Sequence, residues 1–191
     1  MTSPATLTAA QVDALVARLW PQGDRLDAPQ VHAVIDAARD PRIIGLIDAT
    51  GLERCCLFAG ALSPSLRAAA PHLVHLAPDV RFTREFLQHG WGRSWGVLTV
   101  APPDVTLQQL RKHLRTLLRV RDEDGRLLMF RFYDPRVLGA YLPTCTAAEA
   151  CSVFGPVHSY VLESANPCGV QHLRRSDVVG PHAANREALP C

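Results

Sequence analysis

Three times in this chain a threonine is followed three residues later by Gln or Glu and then by apolar side chains at helical spacing: Thr8 with Gln11, Thr106 with Gln109, and Thr146 with Glu149. This is a capping box, in which the hydroxyl and the third side chain satisfy free backbone N–H groups, and it marks where a helix begins. Val12, Leu15, Val16 and Leu19 follow the first box until Pro21 and Gly23 stop the run. Leu107, Leu110, Leu114, Leu117 and Leu118 line one face after the second. Asp27 suits the cap of another helix through Val31, Val34, Ile35 and Ala38, so residues 1–42 are expected to form a helical segment packed on the rest. Asp134 and Pro135 supply an N-cap and a first-turn proline for a helix over 135–142 that Pro143 stops, and Gly155-Pro156 ends the helix opened by Thr146.

Short continuous apolar runs lie between these helices. Ile43 to Asp48 has the pattern of a strand buried on both faces, and Cys55–Phe58, His72–Leu76, Trp95–Val100, Leu127–Tyr133 and Val157–Leu162 suggest further strands. Phe82, Phe86 and Leu87 suggest a helix, and Asp124-Gly125 a turn. The alternation implies a single layered domain of α/β (α+β) class, a central sheet flanked by helices, with its core over residues 43–163. Some connections are too short for parallel crossovers, so the sheet is expected to be mixed. Residues 164–191 carry Pro, Gly, Asn and charges without period, the pattern of a mobile tail.

With 191 residues, 48% of them hydrophobic, the chain is large enough for a buried core. No apolar run is long enough to cross a bilayer, and residues 1–20 lack the layout of a secretory signal, so a cytoplasmic protein with no membrane partner is expected. A net charge of +2 does not by itself call for a nucleic-acid partner. Six cysteines include no C-x-x-C pair, and a domain of this size needs no staples, so reduced thiols are expected.

Gly92-Arg93-Ser94-Trp95-Gly96 is a literal G-x-S-x-G, with Asp134 and His158 following in the chain order of a serine hydrolase. Its context is reversed, because a helix precedes it and an apolar strand follows. The motif is better explained as a tight helix-to-strand turn. His72 and His75 lie three apart in a strand and point to opposite faces, so no metal site is expected, and no glycine-rich phosphate loop follows a strand. No cofactor is implied. Residues 111–121 carry five fixed positive charges and no acid, with Lys112, Arg115 and Arg119 opposite the leucines on a helical wheel. That face suits phosphates or an acidic patch of a protein, and otherwise a solvated helix end. Exposed aromatics interleaved with basic residues are missing elsewhere, which favours protein over nucleic acid. In Phe130-Arg131-Phe132-Tyr133-Asp134-Pro135-Arg136, strand alternation sets Arg131 beside Met129 and Tyr133, where Asp134 or Asp48 would pair with it as an internal clamp.

Taken in order, Leu46-Ile47-Asp48-Ala49, Ala70-Pro71-His72-Leu73-Val74, Gly90-Trp91-Gly92, Trp95-Gly96, Arg111-Lys112-His113-Leu114-Arg115, Asp124-Gly125, Phe130 to Leu138 and Phe154-Gly155-Pro156 resemble the type VI secretion effector adaptors (Tap- or Tec-type chaperones), long catalogued only as a conserved domain of unknown function. The resemblance implies recognition without catalysis. Such adaptors bind a cognate secreted effector in the bacterial cytoplasm and help load it onto the VgrG spike protein. It also implies that the glycines and tryptophans at 90–96 are a fold signature and that there are no catalytic residues. On this basis Arg115, Arg119 and Arg136 are the expected partner contacts, with Trp91, Trp95, Arg131, Asp134 and Pro135 in structural support.

Overall fold

The computed structural model describes residues 6–21, 28–122, 124–164, 166, 168–179 and 185–188. Helix α1 (Ala9–Leu19) begins as its capping box requires: Gln11 N donates to the Thr8 hydroxyl, and Thr8 N donates back to Gln11 Oε1. The next element departs from expectation. Gln30–Asp36 is strand β1, with every residue after Gln30 buried, where the spacing suggested a helix; Asp27 lies outside the described residues. A strand covered on both faces is apolar at nearly every position, so it also satisfies a helical template, and its β-branched Val and Ile favour extended backbone. The converse exchange follows at once. Ile43–Asp48, expected as a strand, is helix α2, with Ile43 and Ile47 buried one turn apart and Gly45 and Asp48 exposed. For runs this short, periodicity does not separate the two states.

The remaining strands are β2 (Arg54–Cys56), β3 (Pro71–Leu76), β4 (Gly96–Ala101), β5 (Arg119–Arg121), β6 (Leu127–Met129), β7 (Ser159–Glu163), β8 (Gly169–Arg174) and β9 (Asn185–Ala188). The main sheet has the order β2-β3-β1-β4-β7-β8-β9, and β5 with β6 forms a separate two-stranded ribbon. With β1 inside the sheet, the chain does not divide at residue 42.

The layered α/β class stands. Within it the sheet pairs antiparallel at every described ladder and not as a mixed sheet. The connections explain this. β4 ends at Ala101 and β7 enters opposite Val100, so the long excursion after β4 re-enters the sheet at the end it left; β3 and β4 run parallel to each other but are kept apart by β1, which pairs antiparallel with both. The expected tail is also corrected in part. Residues 169–174 form β8 against β7, with Val170 and Leu173 buried on opposite faces, because Val and Leu there complete the sheet's two cores. Residues 180–184 and 189–191 lie outside the described residues.

Helices cover both faces. The short helix α3 (Pro64–Ala68) buries no side chain; on one face, Leu15 of α1, Ile47 of α2, Phe82 of α4 (Arg81–Glu85), Phe86 of the π-turn after it, and Trp91 and Trp95 pack on Val31, Ile35 and Leu98. On the other, α5 (Leu107–Leu117), α6 (Pro135–Tyr141) and α7 (Ala147–Phe154) set Leu110, Leu114, Leu138 and Phe154 against Val34, Leu73, Val97 and Tyr160. Among the described residues no helix is long and apolar enough to cross a membrane.

Candidate functional site

At the end of the sheet where β1 and β7 finish and β4 starts lie three carboxylates: Asp36 and Glu163 each tie one chain segment to another, and Asp134 caps its own helix. Asp36, the last residue of β1, accepts from Arg131 Nη2 at 2.5 Å and from Ala38 N at 3.2 Å. Its side chain is 2% exposed, whereas that of Arg131 is 45% exposed. The clamp expected at Arg131 therefore exists with a different partner. Asp134 belongs to its own helix cap, and Asp48 pairs with Arg54. Arg131 also does not share a strand face with Met129 and Tyr133. The strand stops at Met129, which is exposed, while Phe132 and Tyr133 are both buried in a turn.

Asp134 caps α6, accepting from Arg136 N at 3.0 Å, Nε at 2.9 Å and Nη2 at 2.6 Å, with Pro135 in the first turn. Burial pushes the Asp134 carboxyl up, but the Arg136 bonds outweigh it and the net shift is downward. Glu163, at the end of β7, accepts from Gly92 N at 2.5 Å, Ser94 N at 3.1 Å and Ser94 Oγ at 3.0 Å; burial dominates there and the carboxyl is held above its ordinary value. The turn that supplies these donors is tight, with positive φ at Gly92 (76°) and Ser94 (54°). Gly96 ends it where β4 meets β1 so closely that a Cβ would lie 2.1 Å from the Val34 carbonyl oxygen. Trp91 Nε1 donates to the Gly169 carbonyl at 3.2 Å, and Trp91 and Trp95 on either side of the turn are both buried.

This geometry separates the hydrolase triad. Ser94 Oγ donates to a carboxylate, Asp134 is committed to Arg136, and His158 stands five residues before Glu163, about 16 Å along the strand direction, where its N–H donates to Val100. Among the described residues no group of three or more His, Cys, Asp and Glu is placed to hold a metal ion.

The basic segment 111–121 also divides. Helix α5 ends at Leu117, so Arg119 and Arg121 lie on β5 and do not continue the Lys112–Arg115 helix face. Gln108, Arg111, Lys112 and Arg115 line a shallow depression on the outer side of α5, where Arg111 Nε donates to the Cys56 carbonyl. Arg136, the third expected contact, belongs to the carboxylate cluster, with its side chain 62% exposed. His113 is structural: its Nε2 lies 3.0 Å from the Val153 carbonyl oxygen, and its ring fills the space a Cβ on Gly155 would take.

The β5–β6 ribbon has an exposure that its sequence pattern does not announce. Leu127, Leu128 and Met129, expected within a strand over 127–133, are 54%, 47% and 54% exposed on the β5–β6 ribbon, and Val120 beside them is 36% exposed. Four of the five exposed large hydrophobic residues described lie on this ribbon, the fifth being Leu66. An apolar run reads as core unless something shows that no layer covers it, and no local signal did so here.

A model of the family described as a domain of unknown function, DUF4123, matches residues 31–152. That span begins in β1, takes in the ribbon and the 131–136 segment, and ends inside α7. No curated protein and no solved structure matches the chain.

Proposed function

We propose, from the premise that the chain belongs to the DUF4123 family, that it is a cytoplasmic adaptor that binds a cognate type VI secretion effector and helps load it onto the VgrG spike. The observation that carries this reading is the coincidence of that family match with the ordered motif set running from Leu46 to Pro156, which resembles effector adaptors. The geometry of those motifs supports it. The Gly90–Gly96 turn, Arg131 and the Asp134 cap are occupied in holding chain segments together, so the motif residues serve the fold. A loading protein needs a surface that holds its cargo and releases it, with apolar contact and a few guanidinium anchors at a polar rim. The outer side of α5 and the exposed ribbon have that character.

The test is an affinity purification of the tagged full chain from its native bacterium with the secretion genes expressed. Recovery of one secreted effector, with or without VgrG, is the expected result. Recovery of neither contradicts the proposal.

A further inference from the structure

The β5–β6 ribbon is unusual for a folded domain. An isolated two-stranded ribbon is marginal in water, and contiguous apolar exposure on a soluble surface marks a contact site. Here the register sets Val120 opposite Leu128, with Arg119 opposite Met129 and Arg121 opposite Leu127, so apolar side chains stand on both sides of the ribbon. Its base is fixed, because Phe130 N donates to the Leu118 carbonyl and joins the ribbon to the end of α5. The tip neutralises itself in part: Arg126 pairs with Asp122 and Asp124.

The base is different. Lys112, Arg115 and Arg119 have no carboxylate partner among the described residues, and α5 carries no acidic residue from Leu107 to Leu117. On the ribbon Arg119 stands opposite Met129, on the face that also carries Leu127, while Val120 and Leu128 take the other face; Lys112 and Arg115 precede Arg119 on α5.

We infer that the ribbon (Val120, Leu127, Leu128, Met129) and the cations at its base (Lys112, Arg115, Arg119) dock an acidic segment of the cargo protein in which carboxylates flank apolar side chains. This rests on the adaptor reading above and gives it a surface. Charge selects the occupant. A second copy laid base to base on this surface would bring cations against cations, which is unfavourable across paired strands, whereas a carboxylate-bearing segment neutralises them as its apolar residues cover the leucines.

The test uses the full chain in its native bacterium with a benzoylphenylalanine photo-crosslinker at Leu128, and at Leu66 as the exposed apolar control. The binding arm compares Arg115→Glu/Arg119→Glu and Leu128→Ser/Met129→Ser with wild type against the effector that wild type retains. Arg119, Leu66, Leu128 and Met129 are exposed and Arg115 is half-buried on the outer side of α5, so the variants are expected to fold. The expected result is a crosslink from Leu128, not Leu66, to a net-acidic stretch of that effector. Binding should weaken at least tenfold in both variants, and the charge-reversed one should lose most of its salt dependence. Wild-type binding by both variants, or crosslinking only from Leu66, overturns the surface and leaves the adaptor reading intact. A crosslink to another copy of this chain overturns the choice of occupant. Failure of wild type to retain any effector is failure of the adaptor reading, and the docking surface falls with it.

Discussion

The carboxylate cluster at the end of the sheet and the β5–β6 ribbon treat charge and apolar surface in opposite ways. In the cluster, buried Asp36 and Asp134 and the Glu163 carboxylate meet donors from Arg131, Arg136, Gly92 and Ser94, and the apolar tryptophans lie beneath. On the ribbon the leucines are outside and the cations at the base are unpaired among the described residues. A polar group that loses water on folding must be partnered, so the first region is determined by the fold itself. The second buries little of its apolar surface, and the fold alone does not account for its composition.

The comparison breaks most sharply at Gly96. Gly96→Ala pushes a Cβ into the Val34 carbonyl at the β1–β4 ladder, and we expect a loss of about 4 kcal/mol, or no folded protein, in urea unfolding. A wild-type midpoint would show that the two strands need not approach so closely.

The interior supplies a pH test. His32 is buried on β1 beside His75, with ring centroids 5.0 Å apart and its Nδ1 unpartnered; burial first, then the neighbouring imidazole, lowers its pKa from 6.5 to about 4. Between those values the unfolded chain takes up a proton that the native state refuses. Stability should therefore be level above pH 6.5 and fall as the pH drops toward 4, by about 3 kcal/mol in all from this residue. His72 and His113 are lowered by burial as well and act in the same direction. His32→Leu should flatten most of that slope in denaturation curves run across the window. An unchanged slope would place the titration elsewhere.

Glu163→Ala removes the acceptor for three donors of the 92–94 turn and should cost about 2 kcal/mol in the same assay. The smallest effect belongs to the ribbon. Leu127→Ser and Leu128→Ser should each change stability by less than about 0.5 kcal/mol, since neither side chain is buried. A loss as large as that of Glu163→Ala would mean that the ribbon packs on the domain, and the contrast between the two regions would collapse.

Local chemistry was legible in the sequence. All three capping boxes form, Asp134 and Pro135 open α6, and Gly155 closes α7 with φ at +47°. What a residue meets across the fold was not. Arg131 finds Asp36, 95 positions away, and nothing near Arg131 names that partner. The exchange of helix and strand is of the same kind: burial on two faces erases the period in 30–36, and 43–48 is too short for its one buried turn to show a period. Strand β8 was hidden by Gln171 and His172, polar residues inside a sheet strand, of which His172 reaches the Ser159 hydroxyl. Of the expected contacts, Arg115 and Arg119 lie along the surface proposed for cargo, while Arg136 is tied to Asp134.

The most direct measurement is hydrogen exchange on the tagged protein, free and as the effector complex purified from its native bacterium. Amides over 119–129 should gain protection in the complex while those of the 92–94 turn and β7 are unchanged. Protection centred on the carboxylate cluster with none on the ribbon, or no complex to measure, would contradict this expectation.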